Sequence, residues 1–215
     1  MHIRKSQKPR KGTANDNMKI WIIADTHFYH ENIIKFENRP LDNVEQIITN
    51  WNKVVENDDL VIHLGDVVFG LNKEKVLPNL MKRLKGKKIL CRGNHDSYPE
   101  AKWGDWIWFM ERGFDVVVDY FVYQDMAFSH APLTPLPMQG LRGLGKPVNL
   151  NIHGHFHRGH TRIPQPGQDE SEFQDEFYDY KYYADNKDKY KLVQIEDELR
   201  PFSLEEILNP SLKKI

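Results

Sequence analysis

Three short runs of apolar, largely β-branched residues stand in the first half of the chain: Met18–Ala24, Leu60–Leu64 and Lys87–Cys91. Runs of this length without polar alternation predict strands buried on both faces. Between them the period changes. Val44, Ile47, Ile48, Trp51, Val54 and Val55 recur at helical spacing behind Asp42, with Glu45 placed for a capping box, so a helix is predicted to open at Asp42. Lys73–Leu84 also reads as helical, but Pro78 lies inside it and predicts a late start or a kink. A further helix is predicted over Glu100–Arg112, carrying Trp103, Trp106, Trp108 and Phe109. Phe114–Val118, Tyr120–Tyr123 and Met126–Ser129 then follow so closely that antiparallel pairing is predicted. Pro132–Pro147 reads as a loop, Val148–Ile152 as a strand and His153–His160 as a loop. Tyr190–Ile195 predicts a last strand, and Ser203 with Glu206 a capping box opening a short helix through Leu208. Strands that first alternate with helices and then run consecutively define a mixed α/β fold, with its polar motifs at strand ends.

Two segments stand outside this pattern. Residues 1–17 are basic and polar and are expected to form a flexible extension. Residues 164–189 are acidic and rich in Tyr and Phe without a clear period, and are expected to be an insertion in a single domain spanning 18–215. The whole chain of 215 residues has a formal net charge of -1, so no long-range field points to nucleic acid or an anionic membrane as partner. No apolar run reaches the roughly 20 residues needed to cross a bilayer, and the polar lead lacks the apolar stretch of a signal peptide. Cys91 has no internal partner, which fits a cytoplasmic location.

The chemistry is concentrated in five short elements, each directly behind an expected strand: Asp25-Thr26-His27, Gly65-Asp66, Gly93-Asn94-His95-Asp96, His130, and Gly154-His155-Phe156-His157. Imidazole and carboxylate are the donors that divalent transition metals accept at neutral pH. Residues two apart point to one side of an extended stretch, so Asp25/His27 and His155/His157 are each expected to grip a common centre. Gly65, Gly93 and Gly154 would let backbone and ligands approach closely. A carboxylate can bridge two cations, and such a pair clamps the attacking and leaving oxygens of a phosphoryl transfer. Five of the ten histidines, His2, His30, His63, His153 and His160, fall outside these elements and are not expected to bind metal.

This ordered set resembles the calcineurin-like metallophosphoesterases. DTHFYHENIIKFENRP, HLGDVVFG and RGNHD look most like their small bacterial and phage members. The resemblance covers about Met18–Leu208. It implies an α/β fold of two mixed β-sheets packed as a sandwich and flanked by helices. It also implies two divalent cations, with manganese favoured over iron, nickel and zinc. One cation would take Asp25, His27, Asp66 and His157. The other would take Asp66, Asn94, His130 and His155, with Asp66 shared. His95 would be the general acid for the leaving alcohol, oriented by Asp96, and Arg92 would bind phosphate oxygens. The substrate would be a small phosphate ester, with a slight lean to diesters because no further basic cluster adjoins the motifs. The rival readings are a scaffold that has lost catalysis and a nuclease. The intact motif set opposes the first and the near-neutral charge the second.

Overall fold

The computed structural model describes residues 18–70, 72–98, 104–135, 147–158 and 179–212. The 1–17 extension and most of the 164–189 insertion lie outside them, as do His2 and His160. The strands are β1 (Ile20–Ile23), β2 (Leu60–His63), β3 (Lys87–Cys91), β4 (Val116–Val118), β5 (Tyr120–Tyr123), β6 (Met126–Ser129), β7 (Leu150–His153), β8 (Tyr190–Leu192) and β9 (Phe202–Ser203). The helices are α1 (Ile33–Phe36), α2 (Asn43–Val54), α3 (Lys73–Arg83), α4 (Asp105–Met110), α5 (Tyr180–Asp185) and α6 (Leu204–Leu208). They build two sheets, in the order β4-β3-β2-β1-β9 and β5-β6-β7-β8.

The three apolar runs form the parallel centre of the first sheet, with Ile23 beside His63 and His63 beside Leu90. One core joins the two sheets: Ile22, Ile62 and Leu90 of the first belong to the same cluster as Phe128 and Ile152 of the second. The outer face is closed by Ile47, Ile48 and Trp51 of α2 and by Leu77, Leu80 and Met81 of α3. Burying each such side chain contributes about 1.5–3 kcal/mol.

The strand pairing departs from the expected antiparallel run. β4 pairs parallel with β3 in the first sheet, and only β5 and β6 pair antiparallel in the second, β6 and β7 being parallel. The chain changes sheets at Asp119, between β4 and β5. α3 starts five residues before Pro78 and runs through it, so the expected late start does not occur; the apolar side of Leu77, Leu80 and Met81 holds it to the core. Ser203 and Glu206 form the predicted capping box. Asp42 and Glu45 do not: Asp42 accepts from Gln46 Nε2 at 2.8 Å, and Glu45 pairs with Arg83 of α3. The C-terminal end of the aromatic segment is not simply solvated. α5 is capped by Asp179, and Tyr183 and Tyr190 pack with Phe156, Val148 and Ala127 on the second sheet.

Among the described residues no helix is long and apolar enough to cross a membrane. The motif loops leave β1, β2, β3, β6 and β7 at their C-terminal ends and meet on one side of the sandwich.

Candidate metal centre

Asp25, His27, Asp66, His130, His155 and His157 come from four separate loops and are all buried. Donor atoms of Asp25, His27 and His157 lie within 4.8 Å of one another, and so do those of Asp25, Asp66 and His130. Asp25 is common to both groups, and Asp66 of the second also reaches towards the first: its Oδ2 is 3.5 Å from His27 Nε2 and 3.5 Å from His130 Nε2. Asn94 and His155 complete the second side, with Asn94 Oδ1 2.9 Å and His155 Nδ1 3.0 Å from His130 Nε2.

The loops reach this arrangement by a route the sequence did not suggest. The Asp25/His27 and His155/His157 pairs are not on extended backbone. All four residues, and Asp66 with them, have positive φ, between 44° and 73°. For a residue with a Cβ this region is sparsely populated and costs energy, and such residues cluster where function demands the geometry. Compensation comes from backbone pairing and close packing. Asp25, His27 and Phe28 donate N–H bonds to the carbonyls of Gly65, Asp66 and Val67. A Cβ on Gly93 would lie 2.2 Å from Asp66 Oδ1, and one on Gly154 2.5 Å from Asp25 Oδ2, so glycine alone lets these loops touch.

The hydrogen bonds fix which atoms face inward. His130 Nδ1 sits 2.8 Å from the Leu64 carbonyl, which accepts only if Nδ1 carries the proton; in the neutral ring Nε2 then presents a lone pair. That lone pair meets the Asn94 oxygen and the Asp66 carboxylate, an arrangement that a cation resolves. His157 is held the same way: its Nδ1 is 2.9 Å from Glu196 Oε1, leaving Nε2 to face Asp25 Oδ1 at 4.0 Å. Asp25 Oδ1 and both ring nitrogens of His27 are buried without a hydrogen-bond partner. Buried polar atoms are seldom left so. Burial pushes the Asp25 carboxyl up to about 6, against the opposing pull of His157 and His130. Burial likewise drives His27 far below its ordinary value, so it is a neutral donor. The donor set therefore fits divalent cations.

Around this centre lie residues that no motif announced. Arg39 is buried; it donates to the Asp25 and Thr26 carbonyls and, at 2.7 Å, to Glu196 Oε1. Burial would raise the Glu196 carboxyl, but the His157 hydrogen bond and the Arg39 charge outweigh it and hold the group down at about 2. The same Glu196 bond helps raise His157 against the effect of burial. His63 is buried in β2, bonded through Nε2, while its Nδ1 has no hydrogen-bond partner. Thr26 gives its hydroxyl proton to the Val67 carbonyl and so accepts from His63 Nε2 at 2.9 Å.

Two expected roles meet a different geometry. Asp96 uses both oxygens on backbone N–H groups, of Asp66 and Gly93 through Oδ2 and of Val67 through Oδ1. It thus clasps the Asp66 loop to the Gly93 loop, where the resemblance had it orienting His95. Arg92 lines a cavity of about 300 Å³ beside Asn94 and His130. Its guanidinium donates to Asp119 and Asp105 and lies over Trp106, so carboxylates already hold the group expected to grip phosphate. His95 faces the other side of the centre, its ring 5.7 Å from that of His27.

The family model of the calcineurin-like phosphoesterases matches residues 18–197, and the chain belongs to that family. A crystal structure of a protein of unknown function from Aquifex aeolicus superposes with a TM-score of 0.60 at 27% identity, covering 89% of this chain and 98% of that one. An archaeal phosphodiesterase superposes with a TM-score of 0.42 at 23% identity, over 69% of this chain and 77% of that one. An uncharacterized protein of Methanocaldococcus jannaschii is 48% identical over 86 residues, which make up 38% of this chain. The chain spans about half the length of that curated relative, 49%.

Proposed function

We propose that the protein hydrolyses phosphate esters with a pair of divalent cations, one held by Asp25, His27, Asp66 and His157 and the other by Asp66, Asn94, His130 and His155. The observation that carries this reading is the position of Asp66 Oδ2, equidistant from a histidine of each group. When bound, the cations would lower the pKa of an attacking water and stabilise charge on the phosphoryl oxygens.

The remaining work falls to side chains of this chain. His95 is at the rim of the centre, and its backbone N–H donates to Asp66 Oδ1 at 2.9 Å, so its distance from the shared carboxylate is fixed. We assign it the transfer of a proton to the leaving oxygen. Asp96 is assigned to positioning, through the two loops it joins. Arg92 is reassigned from phosphate binding to holding α4 and Asp119 against the Gly93 loop. With Arg92 engaged, the lean is to diesters, whose single negative charge needs less compensation than that of a monoester. Manganese is the cation to try first. The lone buried Cys91 supports a reducing, cytoplasmic setting.

The test is hydrolysis of bis-p-nitrophenyl phosphate and p-nitrophenyl phosphate by manganese-loaded protein, with metal content measured on the same sample. The reading expects two cations per chain and faster turnover of the diester. Absence of turnover with both, at full metal content, would refute it.

A further inference from the structure

A second cavity, of about 570 Å³, opens on the His27 and His157 side of the centre and is lined by His30, Asn32, Phe36, Phe69, Glu37 and His95 as well. Its wall is a file of rings leading from solvent to the metal ligands. Phe36, on α1, is 68% exposed and stands at the solvent end of this file. Its ring centroid lies 6.2 Å from that of His30; His30 lies 4.0 Å from Phe69, and Phe69 4.9 Å from His95. Among the described residues that line the cavity, none is Lys or Arg. The lining itself offers a second phosphate no guanidinium or ammonium group. The Glu37 carboxyl and the exposed Asn32 amide, both in the lining, offer hydrogen bonds there.

Volume, ring file and charge together describe a seat for a flat, uncharged, hydrogen-bonding ring. Because His95 and His27 form its floor, a group seated there is joined to the phosphorus at the centre. We infer that this cavity binds the base of a nucleoside phosphate ester, stacked against Phe36 and His30. The inference rests on the phosphoesterase reading of the centre and adds the substrate class: nucleotide esters, in preference to sugar, glycerol or polyphosphate esters.

The experiment compares adenosine 5'-monophosphate with ribose 5-phosphate as inhibitors of bis-p-nitrophenyl phosphate hydrolysis by the manganese-loaded protein. The two differ only by the base. Stacking on aromatic side chains predicts inhibition by the nucleotide at a concentration about 5- to 150-fold lower. Phe36→Ala should bring that ratio close to one; the exposure of Phe36 makes loss of the fold by this change unexpected, and thermal unfolding checks it. Phe36→Trp supplies a readout without turnover: its added emission should change with the nucleotide and not with the sugar phosphate. Equal inhibition by the two compounds in the wild type, or a ratio untouched by Phe36→Ala, overturns the inference while leaving the phosphoesterase reading intact. If the wild type hydrolyses no ester, that reading falls, and the Phe36→Trp titration alone decides whether the cavity takes a base.

Discussion

Glu196→Gln separates the role of a hydrogen-bonded carboxylate from that of its shape. The Glu196 side chain is fully buried and its Oε1 serves two partners, His157 Nδ1 at 2.9 Å and Arg39 Nη2 at 2.7 Å. The amide keeps the volume and one acceptor but removes the charge. A carboxyl held at about 2, against 4.5 ordinarily, stabilises the fold by about 3 kcal/mol. This agrees with the lower end of the cost of breaking a buried ion pair. Because the folded pKa is depressed, that stabilisation is complete above pH 4.5 and disappears as pH falls towards 2. The metal-free variant should therefore unfold about 6–12 °C below the wild type at pH 7, and the two should converge in acid. A second effect is independent of folding. Without a charged partner at Nδ1, His157 is a less basic and less firmly oriented donor at Nε2, and manganese should bind about 10–100-fold more weakly at that site. Isothermal titration of manganese into metal-free protein reads the second effect, and calorimetric melts across pH read the first. An affinity within twofold of wild type, together with an unchanged melting temperature, would refute the claim that Glu196 sets the His157 ligand.

Asp66→Asn removes the charge shared by both groups and should abolish manganese binding and nearly all turnover, read by metal content and ester hydrolysis. His95→Asn should retain both cations and slow turnover by about 10²–10⁴-fold; loss of metal instead would show that His95 is a ligand. Gly93→Ala drives a methyl into Asp66 Oδ1 and into the Asp66 backbone N, 2.6 Å away, and should destabilise by about 1–3 kcal/mol while weakening metal binding. Ser203→Ala should cost about 1 kcal/mol through its capping box, whereas Asp42→Ala, with no cap bond to lose, should change urea-unfolding stability by less than about 0.5 kcal/mol.

The central strands were legible because they are covered on both faces, which leaves an unbroken apolar run such as Ile20–Ile23 in the sequence. Their partners were not. β4 and β5 are separated only by Asp119, yet belong to different sheets; periodicity reports that a stretch is extended and says nothing of what it pairs with. β9 has two residues, too few to show a period at all. At Asp42 a correct local signal lost to tertiary contacts, since Arg83 of α3 draws Glu45 away from the cap. The six buried side chains and Asn94 that the fold gathers into one centre were readable because donor type and motif order point to them directly. The way they converge was not, because the positive φ of Asp25, His27, Asp66, His155 and His157 follows from loop-to-loop packing across Gly93 and Gly154. Arg39 and Glu196 stand 157 positions apart and meet only in the fold. Arg92 looked free beside its motif, and only the fold brings Asp105 and Asp119 to it.

Anomalous diffraction from crystals of the manganese-loaded protein bears on the paired-cation centre most directly. Two peaks are predicted, one among Asp25, His27 and His157 and one among Asn94, His130 and His155, with the Asp66 carboxylate touching both. A single peak, or peaks that leave Asp66 without a metal contact, would contradict it.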